Sequence, residues 1–198
     1  MELGLRRGTA ALAPHDPAWE AAAAQTIRLL KRILGETAAD VQHIGSTAVR
    51  GIYAKPIIDI AVGAADCEAV LRREAILAEN GFLFRGQDLP GQYLYVCGEQ
   101  NIRTHHIHVL EYQSEAWCNY INLRDYLNCH AAEAQAYSAH KLALAAQYPD
   151  DRGTYTAMKS EMITEILQKA RIWRTVQETE RRNGSCSVQR ADTSRRTR

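Results

Sequence analysis

The chain has 198 residues, 46% hydrophobic and 24% charged, with a formal net charge of +1. That length suits one domain with its own core, so folding requires neither a disulfide nor a metal staple. No apolar run approaches the roughly 18 residues of a membrane span, and Met1–Pro14 lacks the hydrophobic region of a secretion signal.

Asp16-Pro17 reads as a helix start, and Trp19, Ala22, Ala23, Ile27, Leu30 and Leu34 follow at helical spacing until Gly35. Val41–Ile44 is a short strand running into Gly45-Ser46-Thr47. Pro56 then opens a buried, β-branched run through Val62, closed by Gly63. Asp66 caps a helix to about Asn80, with Gly81 as its stop. Phe82–Arg85, Gln92–Val96 and Thr104–Glu111 read as three further strands between turn signals. From Ser114 almost to Val176 the pattern is helical, with breaks near His130 and at Tyr148-Pro149-Asp150. The expected fold is α+β, a small mixed sheet with flanking helices and a C-terminal helical section. The domain spans 1–178, with a sheet part about 14–112 and a helical part about 114–176. Residues 179–198 carry a net +4 against −3 for the rest and read as a disordered basic tail. The mildly acidic body argues against a nucleic-acid partner. Five scattered cysteines, without CxxC spacing, fit reduced thiols in a cytoplasmic protein.

Several polar residues stand where apolar ones belong. Asp59 interrupts the apolar strand, sharing a face with Ile57 and Ala61 while Ile58, Ile60 and Val62 line the other. A carboxylate there needs a partner; it reads either as a salt bridge to an arginine or as a metal ligand or general base. The Gly45-Ser46 turn can aim backbone N–H groups and a hydroxyl at one anion. Arg124, Lys141 and Lys159 each sit on an apolar helix stripe. Each alone fits a snorkelling side chain; three in succession suggest convergence on an anion. His106 and His108 share a strand face, and read as phosphate hydrogen bonding or packing first, metal binding second. A histidine-triad phosphoesterase would need histidine at position 104, where Thr104 stands. Glu111, on the opposite face, is a further carboxylate. Trp173 and Ile172 fit either core or an interface. GxSxG, GxxxxGKS and GxGxxG motifs are absent.

The runs His43-Ile44-Gly45-Ser46-Thr47-Ala48-Val49 and Ala54-Lys55-Pro56-Ile57-Ile58-Asp59-Ile60 resemble the GrpB family of the polymerase-beta-type nucleotidyltransferase superfamily. The likeness continues through Arg103–Val109, Leu123–Leu127, Lys141, Tyr155-Thr156 and Lys159, in collinear order over about residues 10–170. It implies a nucleotidyltransferase-type sheet and a phosphate cradle at Gly45, Ser46 and Thr47. Lys55, Arg124, Lys141, Tyr155 and Lys159 would contact the nucleotide or another phosphorylated small molecule. It also implies Mg²⁺ at Asp59, its shell completed either by water and phosphate oxygens or by Glu111, and makes His106 and His108 candidates for acid-base catalysis or phosphate contact. The implied activity is Mg²⁺-dependent transfer of a nucleotidyl group to a small acceptor. Ala61 stands where active superfamily members carry a second acidic residue, and Arg50 stands where the family usually has proline. The alternative is therefore an accessory protein that binds a phosphorylated ligand without transfer chemistry, a role also implied by the related domain attached to dephospho-CoA kinases.

Overall fold

The protein is described by a computed structural model that covers residues 3–9, 11–149 and 151–193. In chain order its elements are β1 (Leu5–Arg6), α1 (Ala18–Leu34), β2 (Asp40–Ile44), β3 (Ile58–Ala64), α2 (Cys67–Leu71), α3 (Glu74–Glu79), β4 (Leu83–Leu89), β5 (Gln92–Cys97), β6 (Ile102–Arg103), β7 (His105–Glu111), α4 (Glu115–Cys129), α5 (Ala131–Gln147) and α6 (Arg152–Thr193). Five strands form one mixed sheet in the order β2-β3-β7-β5-β4, with β3 and β7 parallel and the other pairs antiparallel. The α+β architecture expected from sequence is the one observed.

Strand parity divides the molecule. Ile58, Ile60 and Val62 of β3 and Ile107 and Val109 of β7 face α1, α2 and α3, and are at most 1% exposed. On α1, Trp19, Ala23, Leu30 and Leu34 complete that core, each 1% exposed. Burying a side chain of this size contributes about 1.5–3 kcal/mol, so this face fixes the sheet. The opposite face carries Asp59, Ala61, His106, His108 and Leu110, and it meets α4 through Ile44 and Trp117. Trp117 lies so close to Gly63 that a Cβ there would sit 2.8 Å from its ring, which lets the indole press on the strand.

The helix ends have local causes. Asp16 Oδ1 accepts the Ala18 N–H at 2.9 Å, and Gly35 (φ 54°) ends α1. Ser114 caps α4, its hydroxyl accepting the Trp117 N–H at 3.3 Å. The break at His130 is held by its ring nitrogen on the Tyr126 carbonyl at 2.8 Å and by stacking on Tyr126. Asp151 opens α6 by accepting the Thr154 N–H at 2.9 Å. The three last helices join over Tyr126, Leu127, Ala134, Tyr137, Ile166 and Ala170, and this cluster includes Val49 and Ile52 from the loop after β2.

The structure departs from the sequence reading in two places. The helix expected from Asp66 to Asn80 is two short helices, because Arg73 leaves helical geometry (φ −92°, ψ 10°) and its guanidinium donates to the Ile33 carbonyl at the end of α1. Two-residue strands β1 and β6 pair antiparallel, too short to show a period. Helix α6 is described to Thr193, and residues 194–198 of the tail lie outside the described residues. No proline interrupts that stretch, and a helix already nucleated extends at little cost per residue. Ile172 is 68% exposed, whereas Trp173 packs edge-on against Tyr126 and His130. No helix among the described residues is long and apolar enough to cross a membrane.

Candidate functional site

The parallel pairing of β3 with β7 sets Asp59 opposite His106 and Ala61 opposite His108. All these side chains leave the same sheet face. Asp59 Oδ1 lies 3.1 Å from His106 Nδ1 and 3.5 Å from His108 Nε2. Burial acts to raise the Asp59 pKa, but hydrogen bonds from the two imidazoles and their charge outweigh it and hold the carboxyl well below the usual range. The partner that this carboxylate needs is thus a pair of histidines, not an arginine. Behind His108, Gln92 Nε2 approaches the ring Nδ1 at 3.3 Å, and Asp88 lies 4.0 Å from the same nitrogen. The Gln92 amide is itself held, donating to Asp88 at 3.2 Å and accepting from the Tyr120 hydroxyl at 3.0 Å.

The Gly45 turn closes over Asp59. Gly45 has φ 71°, and a Cβ there would stand 2.5 Å from Asp59 Oδ2, so only glycine allows this approach. The chain then enters one 3-10 turn, Ser46–Ala48. His43 steadies it: its Nε2 lies 3.0 Å from Thr47 Oγ1, and burial pushes the imidazole pKa down to about 4, so the ring is neutral at pH 7. The Thr47 hydroxyl donates onward to the Ile57 carbonyl at 3.4 Å. Arg124 braces the same segment from α4. Its guanidinium donates to Gln42 Oε1 at 2.8 Å and to the His43 carbonyl at 2.9 Å, and pairs with Asp125.

Two adjoining cavities of about 200 and 220 Å³ meet at Ser46, Asp59 and Lys159. The first is walled by Lys55, Lys141, Tyr155 and His106, the second by His108, Tyr120, Arg124 and Tyr137. Lys55 Nζ stands 4.4 Å over the Tyr155 ring, and Lys159 Nζ stands 6.0 Å from the same ring. Lys141 is 1% exposed, lies 4.5 Å over the Tyr137 ring and donates to the Tyr53 carbonyl. Burial, then the charge of Lys159, pushes its amine down to about 7. Among the described residues no carboxylate lies within ion-pair distance of Lys141 or Lys159.

The structure therefore brings together Asp59, His106, His108, Gly45, Ser46, Thr47, Lys55, Lys141, Tyr155 and Lys159, with Arg124 at the edge as a brace. Glu111 is not among them. It pairs with Ala64, five residues along β7 from His106, which is about 17 Å of strand, and it leaves the other face. The sequence-based substitution of Glu111 for a second carboxylate is corrected by that register. Arg50 also turns away, pairing with Glu20 at 3.0 Å outside the cleft. Residues missed from sequence are Asp88, Gln92, Tyr120 and Tyr137, and Arg103, which joins Lys55 and His106 in a small adjoining recess. Only the pairing of β5 with β7 places Gln92 near His108, and no local pattern announces it. Magnesium prefers an all-oxygen shell. The centre of the cleft offers one carboxylate and two imidazoles, a donor set that does not fit it.

A family model described as GrpB protein matches residues 9–169. The chain is 36% identical to the Glutamate-rich protein GrpB of Alkalihalophilus pseudofirmus over 172 residues, 84% of this chain and 99% of that one. The crystal structure of conserved protein GrpB from Enterococcus faecalis superposes with a TM-score of 0.72 at 30% identity, over 80% of this chain and 98% of that one. A shorter likeness, 44% identity over 61 residues, links 29% of the chain to 15% of a dephospho-CoA kinase of Mycobacterium tuberculosis.

Proposed function

The chain belongs to the GrpB family, and from that premise we propose that its cleft binds a phosphorylated small molecule of the nucleotide class. The observation that carries this reading is the convergence of Lys55, Lys141 and Lys159 on one cavity, with the Ser46 turn opposite and one carboxylate at its floor. Two like charges facing each other near a buried wall are costly, and an anion between Lys141 and Lys159 relieves both. The two cavities adjoin at Lys159, and together they reach the lower end of the usual range for small-ligand sites, about 300–1,000 Å³. Tyr120, Tyr137 and Ile163 in the second cavity give an apolar wall suited to a base or another flat group. The short likeness to a dephospho-CoA kinase is compatible with a phosphorylated ligand, and kinase activity is not carried over with it.

A second reading is nucleotidyl transfer, in which an acceptor oxygen attacks the α-phosphorus and pyrophosphate leaves. The observation favouring it is that Gly45 sits against Asp59, so a phosphate held at the turn would lie beside the carboxylate. Asp59 would then take a role at the reacting phosphate, with His106 and His108 holding or moving a proton nearby.

Calorimetric titration of nucleoside triphosphates, with and without a divalent cation, tests both readings. Lys159→Ala removes a charge-assisted contact of about 1.5–3 kcal/mol, so affinity is expected to fall about tenfold or more. A folded wild type that binds no triphosphate, or a Lys159→Ala that binds equally well, removes the first reading. Pyrophosphate release by the wild type that is lost in Asp59→Ala supports the second.

A further inference from the structure

The donor set at the floor of the cleft has its own chemistry. Asp59, His106 and His108 each present one ligand atom, and these atoms all lie within 4.8 Å of one another. A four-coordinate ion with bonds of about 2.1 Å has donor–donor edges of about 3.4 Å. Two of the three edges here are already near that length, 3.1 Å from Asp59 to His106 and 3.5 Å from Asp59 to His108. All three side chains leave one face of two hydrogen-bonded strands, so the donors form a cap over a single point and leave the cavity side open.

The surroundings match a ligand shell. Imidazole ligands of metals donate their outer N–H to a carboxylate, carbonyl or water, which orients the ring and raises its basicity. At His108, Nε2 turns toward Asp59 and the Asp88 carboxylate stands 4.0 Å beyond Nδ1, on the side where such an acceptor belongs. Ala61, paired with His108, is small enough to leave room for that ring on the strand face. The position at which the family resemblance leads one to expect a second acidic ligand is thus filled from the neighbouring strand by nitrogen.

We propose that Asp59, His106 and His108 form a binding site for a divalent transition ion of the zinc class, held by two imidazoles and one carboxylate with positions left open toward the cleft. Nitrogen donors favour such ions over magnesium, which prefers an oxygen shell. A cation here stands beside the Ser46 turn and the lysines, so its open positions face the place assigned above to phosphate. The inference rests on that reading for what the open positions would meet, but binding of the ion itself is independent of it.

The test uses the full chain, stripped with a chelator and titrated with Zn²⁺ or Mg²⁺ in the absence of any phosphate compound, with Co²⁺ as an absorbance probe. One Zn²⁺ per chain is expected, bound at least about a hundredfold more tightly than Mg²⁺, and Co²⁺ should give the visible bands of a low-coordinate nitrogen–oxygen site. His106→Gln and His108→Gln should each weaken Zn²⁺ at least about tenfold, and Asp88→Asn should weaken it about tenfold through His108. Circular dichroism identifies any variant that fails to fold, and the others carry the test. Among the described residues Cys67, Cys97, Cys118 and Cys129 are free thiols, so Zn²⁺ bound equally well by both histidine variants lies away from the cleft and overturns the proposal. No Zn²⁺ binding by the folded wild type, or Mg²⁺ bound as tightly, overturns it too. Zn²⁺ binding without triphosphate binding upholds the site and removes only the phosphate reading.

Discussion

Lys141 is the most deeply buried of the lysines that line the cleft. Its amine is buried, donates to the Tyr53 carbonyl and is pushed down from 10.5 to about 7. In the unfolded chain the amine returns to its ordinary value. Between about pH 7 and 10.5 the unfolded state therefore holds more protons than the folded one, and stability rises with pH across that window. Below about 7 the cost of charging the buried amine is present in full. A bound phosphate favours the charged form, so triphosphate binding at pH 8 should take up a proton. Heats measured in buffers of different ionisation enthalpy check this, and Lys141→Met should abolish the uptake. Sequence alone placed Lys141 on an apolar stripe with a snorkelling alternative. Burial at 1% removes that alternative, but depth of burial is a tertiary quantity that helical spacing does not contain.

At the scale of elements, what could be read from sequence was what is local. The helix starts at Asp16 and Ser114, the break at His130 and the strand around Asp59 all follow from residues a few positions apart. The partners of Asp59 did not, because register between β3 and β7 is set by contacts 47 residues apart. Glu111 shows the same division: its opposite face was visible in the alternation, while its distance from Asp59 needed the pairing. The elements also predict what restoring a second carboxylate would do. Ala61 is fully buried among Ile44, Leu110 and Trp117. Ala61→Asp places a charge in that cluster, beside one imidazole only, and is expected to cost about 3 kcal/mol or more. Urea denaturation measures it; unchanged stability would mean that Trp117 yields and the strand face is soft.

Across the whole molecule, one carboxylate ties the last helix to the first half of the chain. Asp125 on α4 pairs with Arg124 beside it and with Arg174 on α6. Arg124 in turn holds the His43 carbonyl, two residues before the Gly45 turn. These side chains are only about a fifth to a quarter exposed, so each single removal is expected to cost more than an exposed pair would, about 1–3 kcal/mol. The diagnostic quantity is non-additivity. A double-mutant cycle on Arg124→Ala and Arg174→Ala should show coupling above about 0.5 kcal/mol, since both share Asp125; strict additivity would mean that the two ends act independently.

The parallel pairing of β3 with β7 also bears on how the protein comes into being. Parallel neighbours need a long connection between them, whereas the antiparallel pairs β2–β3 and β4–β5 join segments close in sequence. The residues at the floor of the cleft come from both central strands, so a nascent chain has no cleft until residue 108 has emerged and found residue 61. Contacts of such separation are slow to form because loop-closure entropy must be met first. Recovery of ligand binding during refolding therefore reports the completed sheet rather than the formation of its helices.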